Sequence, residues 1–111
     1  GVRNTLIGGL AGDALTTGVR NVAIGYAALS QEDANSYNVA IGDSALTQLN
    51  AGADGYNVAV GYQAGTAMTT GDLNTIVGGL AGDSLTGGNN NVAIGYLALS
   101  AEPLGDRNVA R

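Results

Sequence analysis

Polar and apolar positions along this chain follow one short phrase that returns throughout: an Asn, three β-branched or apolar residues, then a Gly. The copies are Asn4-Thr5-Leu6-Ile7-Gly8, Asn21-Val22-Ala23-Ile24-Gly25, Asn38-Val39-Ala40-Ile41-Gly42, Asn57-Val58-Ala59-Val60-Gly61, Asn74-Thr75-Ile76-Val77-Gly78 and Asn91-Val92-Ala93-Ile94-Gly95, and a seventh starts at Asn108. Successive Asn residues are 17, 17, 19, 17, 17 and 17 positions apart, so one coil carries a two-residue insertion, around Asn50 to Gly55. Recurrent Gly after a run of Val, Ile and Thr disfavours a helix and predicts short strands. A unit of this length cannot bury a core alone, but coils stacked about 4.8 Å apart pair equivalent positions in parallel ladders. Six coils then make a rod of roughly 30 Å.

Other columns of the unit are equally regular. The eighth position is Ala in all six complete copies (Ala11, Ala28, Ala45, Ala64, Ala81, Ala98), which points to a site that admits only a small side chain. The ninth alternates between Gly and Leu: Gly12, Leu29, Leu46, Gly65, Gly82, Leu99. Each unit therefore reads as a strand, a tight Gly corner, a second short strand and a variable loop with turn residues such as Gly87-Gly88-Asn89-Asn90. A longer period lies on top, since residues 4–41 laid over 74–111 give 24 identities in 38 positions. The chain reads as a single repeat domain over 1–111, with coils starting at 4, 21, 38, 57, 74 and 91 and a partial one at 108. It is expected to be a piece of a longer fibre.

Side chains alternate along a strand, so Val22 and Ile24 share one face while Asn21 and Ala23 take the other. Both faces are apolar, because the third-position column is Leu6, Ala23, Ala40, Ala59, Ile76, Ala93 and Ala110. A strand apolar on both faces is buried on both. The expectation is that the Val/Ile face, Ile41 included, lines the coil interior, and that the third-position column meets a second copy of the chain. The Asn column suits a corner with left-handed backbone and a side-chain ladder from coil to coil. Gly25, Gly42, Gly61 and Gly95 are expected to supply positive φ or to let another backbone come close.

Composition removes most catalytic chemistry. The 111 residues contain no Cys, His, Lys, Trp or Phe, so thiolate and imidazole metal sites, a histidine base, a Schiff base and a P-loop are all excluded. A net charge of -5 disfavours nucleic acid and anionic lipid. No apolar run reaches the roughly 18 residues of a membrane span, and no secretory leader is visible. Neither an enzyme nor a cofactor is expected.

Few residues remain for other chemistry. Asp13 and Asp83 each follow Gly-Gly-Leu-Ala-Gly and are weak candidates for a cation, although the nine-residue calcium pattern is absent. Glu32 and Glu102 occupy equivalent positions where other coils have Leu15, Leu49, Met68 and Leu85, and read as a solvated edge. Tyr26, Tyr62 and Tyr96 share the sixth position, alternating with Gly9, Asp43 and Gly79. They either project outward as platforms for a glycan or protein receptor, or lie flat over neighbouring Gly residues. Tyr37 and Tyr56 directly precede the Asn phrase and read as loop packing.

The phrase Asn-Val-Ala-Ile-Gly followed by x-x-Ala resembles the head repeats of YadA-like trimeric autotransporter adhesins, and Gly-Tyr-x-Ala is similar to repeats in phage tail-fibre shafts. The resemblance covers essentially the whole chain, although the adhesin head unit is shorter. It implies an all-β, left-handed parallel β-roll, here a β-solenoid of about six 17-residue coils, in a homotrimer with chains intertwined or side by side. It also implies an extracellular setting, on a virion tail fibre or a bacterial cell surface, with a host glycan or protein receptor as partner. With no polar cap over the first or last coil, end-to-end stacking is a further expectation. A cation-dependent carbohydrate-binding module using Asp13, Asp43, Asp83 and the Tyr column is the alternative.

Overall fold

The structure, a computed structural model, describes residues 1–52, 54–101 and 105–111. It is a parallel β-solenoid of about six turns. Seven short strands, β1 (Thr5–Ile7), β2 (Val22–Ile24), β3 (Val39–Ile41), β4 (Val58–Val60), β5 (Thr75–Val77), β6 (Val92–Ile94) and β7 (Val109–Ala110), form one sheet in chain order. Register is column on column: Val22 pairs with Val39, Ala23 with Ala40 and Ile24 with Ile41, and the third coil's insertion leaves Ala40 opposite Ala59. The longest dimension is 33 Å.

The corner after each strand is built by backbone contact. Gly42 has φ +133°, and a Cβ there would lie 2.4 Å from the carbonyl oxygen of Gly61 in the next coil. Neither the dihedral nor the approach admits a side chain, which explains why the fifth column holds only Gly.

The stretch beyond the corner is not the second strand expected from the sequence. Its seventh and ninth positions are left-handed even where they are not Gly, as at Ala27 (φ 55°) and Leu29 (φ 53°) or Ser44 and Leu46. The burial pattern gives the reason. Ala28 and Leu29, like Ala45 and Leu46, are consecutive and both fully buried. An extended chain would send one of each pair outward. The left-handed turns point both inward while the backbone still pairs between coils, Ala27 N–H to Gly9 O at 2.9 Å and Gly12 N–H to Ala28 O at 2.9 Å.

The two strand faces are placed opposite to the sequence expectation. Ala23, Ala40, Ala59, Ile76 and Ala93 are fully buried inside the coil, packed with the eighth-position Ala column, Leu29, Leu46, Leu49, Met68 and Leu85. Val22, Ile24, Val39 and Ile41 lie on the outside and are only half-buried. Coil volume decides between two apolar faces. A 17-residue turn leaves a thin interior, and beneath the strand it holds the short side chains of the Ala column together with one large residue from across the coil.

Candidate functional site

The Asn column forms the spine of one side of the solenoid. Each side-chain oxygen accepts the backbone N–H of the next Asn, from Asn4 and Asn21 through Asn91 and Asn108, at 2.8 to 3.1 Å. The amide nitrogen turns to its own coil: Asn21 donates to Asn35 O, Asn57 to Gly71 O and Asn74 to Gly88 O, at 2.8 to 2.9 Å. Asn38 differs, because its coil carries the insertion, and its Nδ2 faces Asn35 Oδ1 and Ser36 O instead. The left-handed backbone expected of Asn belongs to the residue before it, such as Arg20, Tyr37 or Tyr56. A peptide turn directed inward by that residue leaves the Asn side chain buried, where it satisfies loop carbonyls that water does not reach.

The Val/Ile face follows the sheet from coil to coil. Its two outward columns consist of Val, Ile and Thr, with no charge, through β1 to β6, and Arg111 takes the fourth position after β7. Among its Val and Ile side chains, exposure is greatest toward the ends, at Ile7 (57%), Ile94 (49%) and Val109 (73%). The N-terminal edge of each strand is bordered by the residue before the Asn, giving Arg3, Arg20, Tyr37, Tyr56, Leu73, Asn90 and Arg107 in succession. Along this edge the Tyr37 and Tyr56 rings stack with centroids 4.8 Å apart, and the Arg20 guanidinium sits over Tyr37 while its Nη1 donates to the Tyr37 hydroxyl at 2.7 Å. The sequence predicts loop packing for Tyr37 and Tyr56 singly; in the structure they stand in one column with Arg20, the column of residues that precede each Asn.

Tyr26, Tyr62 and Tyr96 border the opposite edge and are all more than half exposed. Tyr26 and Tyr96 nevertheless rest against the preceding coil: a Cβ on Gly9 would lie 3.5 Å from Tyr26 Cδ2, and one on Gly79 3.6 Å from Tyr96 Cδ2. The rings thus lean over Gly shoulders and keep an open face. Asp43 is exposed on the same edge, between Tyr26 and Tyr62.

Glu32 is not on a solvated edge. It lies fully buried, in the column of Leu15, Leu49, Met68 and Leu85. Oε1 accepts the N–H of Asn35 at 2.7 Å and of Ala34 at 3.2 Å, while Oε2 has no hydrogen-bond partner. In the first coil the equivalent N–H groups of Thr16, Thr17 and Gly18 all donate to Asp33 O of the next coil, and Thr69 and Thr70 donate likewise to Thr86 O. The third coil carries its extra residues at this level, and in the second coil Glu32 supplies the acceptor from within. Burial pushes the Glu32 carboxyl above the usual carboxylate range, against the pull of the Asn35, Ala34 and Ala51 backbone hydrogen bonds, with the nearby Asp33 charge adding to the rise. Glu102 lies outside the described residues.

The acids do not gather. Asp13 is exposed and Asp83 half-buried in equivalent positions four coils apart. Among the described residues no three His, Cys, Asp or Glu side chains come together as metal ligands, and no pocket opens on the surface. Comparison with protein families, curated proteins and solved structures finds no significant match to this chain.

Proposed function

We propose that the chain is a non-catalytic segment of a homotrimeric fibre, a left-handed β-roll that spans distance and carries a receptor-binding surface outside the cell. A phage tail-fibre shaft is the first host and a bacterial surface adhesin the second. One observation supports this above others: an uncharged band of Val and Ile, broken only by Thr5 and Thr75, lies on the outside of strands β1 to β6. A monomeric protein rarely leaves so continuous an apolar strip in water, and a second copy of the same face is the simplest cover. Self-association therefore uses the Val/Ile face, with the third-position column kept for the core. The half-exposed Tyr26, Tyr62 and Tyr96 rings remain the aromatic surface a glycan or protein would meet.

Light scattering after size-exclusion chromatography tests the reading. A mass of three chains, unchanged on dilution, is the expected result, and a stable single-chain mass overturns it. Calcium and simple sugars should leave the melting temperature of a shaft unmoved.

A further inference from the structure

We infer that the chains of this assembly lie parallel and in register, with the Arg20/Tyr37/Tyr56 edge of one chain against the Tyr26/Asp43/Tyr62 edge of the next. This rests on the self-association proposed above and adds its geometry. Every strand starts at the first edge and ends at the second, because the sheet is parallel and in register throughout. When copies surround an axis along the rod with their Val/Ile faces inward, the leading edge of one face meets the trailing edge of its neighbour at the same height.

At three consecutive levels, β2 to β4, the residues that meet are complementary. At β2 a guanidinium, Arg20, comes against the aromatic face of Tyr26, a cation–π pair. At β3 the Tyr37 hydroxyl comes against the Asp43 carboxylate, a charge-assisted hydrogen bond. At β4 Tyr56 meets Tyr62, ring to ring. All but Tyr37 are exposed in the single chain, and Tyr37 is partly open. An antiparallel pairing of the same faces instead sets the first edge against itself, with Tyr56 on Tyr56 at the centre and Arg3 on Arg107 toward the ends. That arrangement juxtaposes like charges and leaves Asp43 without a cationic or hydroxyl donor from the other edge.

The chain has no cysteine, so engineered pairs report cleanly. The double variant Tyr37→Cys/Asp43→Cys should oxidise to a covalent three-chain species on a non-reducing denaturing gel, collapse to one chain with reductant, and leave each single variant uncrosslinked. Tyr56→Cys/Tyr62→Cys should do the same one level along. In the unaltered protein, photosensitised dityrosine coupling should link chains and lose that linkage in Tyr62→Phe. A three-chain native mass without any of these links overturns the seam and leaves the trimer standing. A single-chain mass overturns both, and Tyr56→Cys alone linking to itself identifies the antiparallel pairing and overturns the inference.

Discussion

Ile76 and Gly82 share one slot in the core: a Cβ on Gly82 would lie 3.1 Å from Ile76 Cδ1. Gly12 stands in the same relation to Leu6, 2.7 Å from its Cδ2. Where the third position is Ala23, Ala40 or Ala93, the ninth is Leu29, Leu46 or Leu99; the fourth coil has Ala59 with Gly65, and there Leu46 and Ile76 of the adjoining coils reach the space, 2.9 and 3.3 Å from a Cβ on Gly65. One large side chain fills the space, contributed from either side of the coil. Ile76→Ala alone should therefore destabilise by about 2–5 kcal/mol through the cavity it leaves, and Gly82→Leu alone by about 1–3 kcal/mol through overpacking. Combined, they recreate the arrangement of Ala40 with Leu46, and the melting temperature should recover most of the loss. Chemical denaturation of all four proteins reads the coupling, and simple additivity would contradict a shared slot.

The outward placement of Ile41 separates folding from assembly. Ala40→Asp buries a charge in the interior and should abolish the folded state. Ile41→Asp places the charge on the half-buried outer face and should leave a folded chain of lower oligomeric mass. Circular dichroism and light scattering on the two variants check this, and loss of folding by Ile41→Asp would return that residue to the core.

The period, the register and the small-residue columns were legible in the sequence because each coil repeats the same demand at the same place. The Gly25 and Gly42 corners and the buried Ala45 and Ala64 column follow directly from invariance across six copies. The choice of inner face was not legible, since Val22 and Ala23 are both apolar and only the combined volume of positions three and nine decides between them. The left-handed seventh position gave no local signal, because Leu10, Ala27 and Gln63 are not residues that prefer positive φ. Glu32 reads as a surface residue for a related reason: its role is set by acceptors lacking in the following coil, not by its own neighbours in sequence.

Close backbone approach and positive φ coincide at the Gly corner, so one added carbon there is costly. Gly42→Ala adds a Cβ against the Gly61 carbonyl at an unfavourable φ and should prevent folding or lower stability by more than about 3 kcal/mol. Gly52, in the inserted loop, has φ +72° but nothing within 4 Å, so Gly52→Ala should lose only about 1–2 kcal/mol from its dihedral. Thermal melts of the pair distinguish contact from conformation.

Removing one rung of the Asn ladder strands two buried groups. Asn57→Ala leaves the Asn74 N–H and the Gly71 carbonyl without their partners, and a destabilisation of about 2–5 kcal/mol is expected. Hydrogen exchange should localise the damage, with the Asn74 amide losing protection more than amides two coils away. Uniform loss of protection would show instead that the solenoid unfolds only as a whole.

Glu32 couples stability to pH with a definite sign. Its folded carboxyl titrates above the ordinary value, so between the unfolded and the folded pKa the folded chain holds the proton that the unfolded chain has released. Stability from this group is complete below the unfolded pKa, near 4.3 for Glu, and is lost as pH rises through the raised folded value. Glu32→Gln keeps an acceptor for the Asn35 and Ala34 N–H groups and carries no charge, so it should be more stable than the parent at pH 7 and nearly equal to it at pH 4. Glu32→Leu matches Leu15 and Leu49 in shape but orphans both N–H groups, and should fall below Glu32→Gln at either pH. Urea midpoints at the two pH values test the assignment. A parent protein that gains stability relative to Glu32→Gln on going from pH 4 to pH 7 would mean that this carboxylate is stabilised as an ion, through a donor to Oε2.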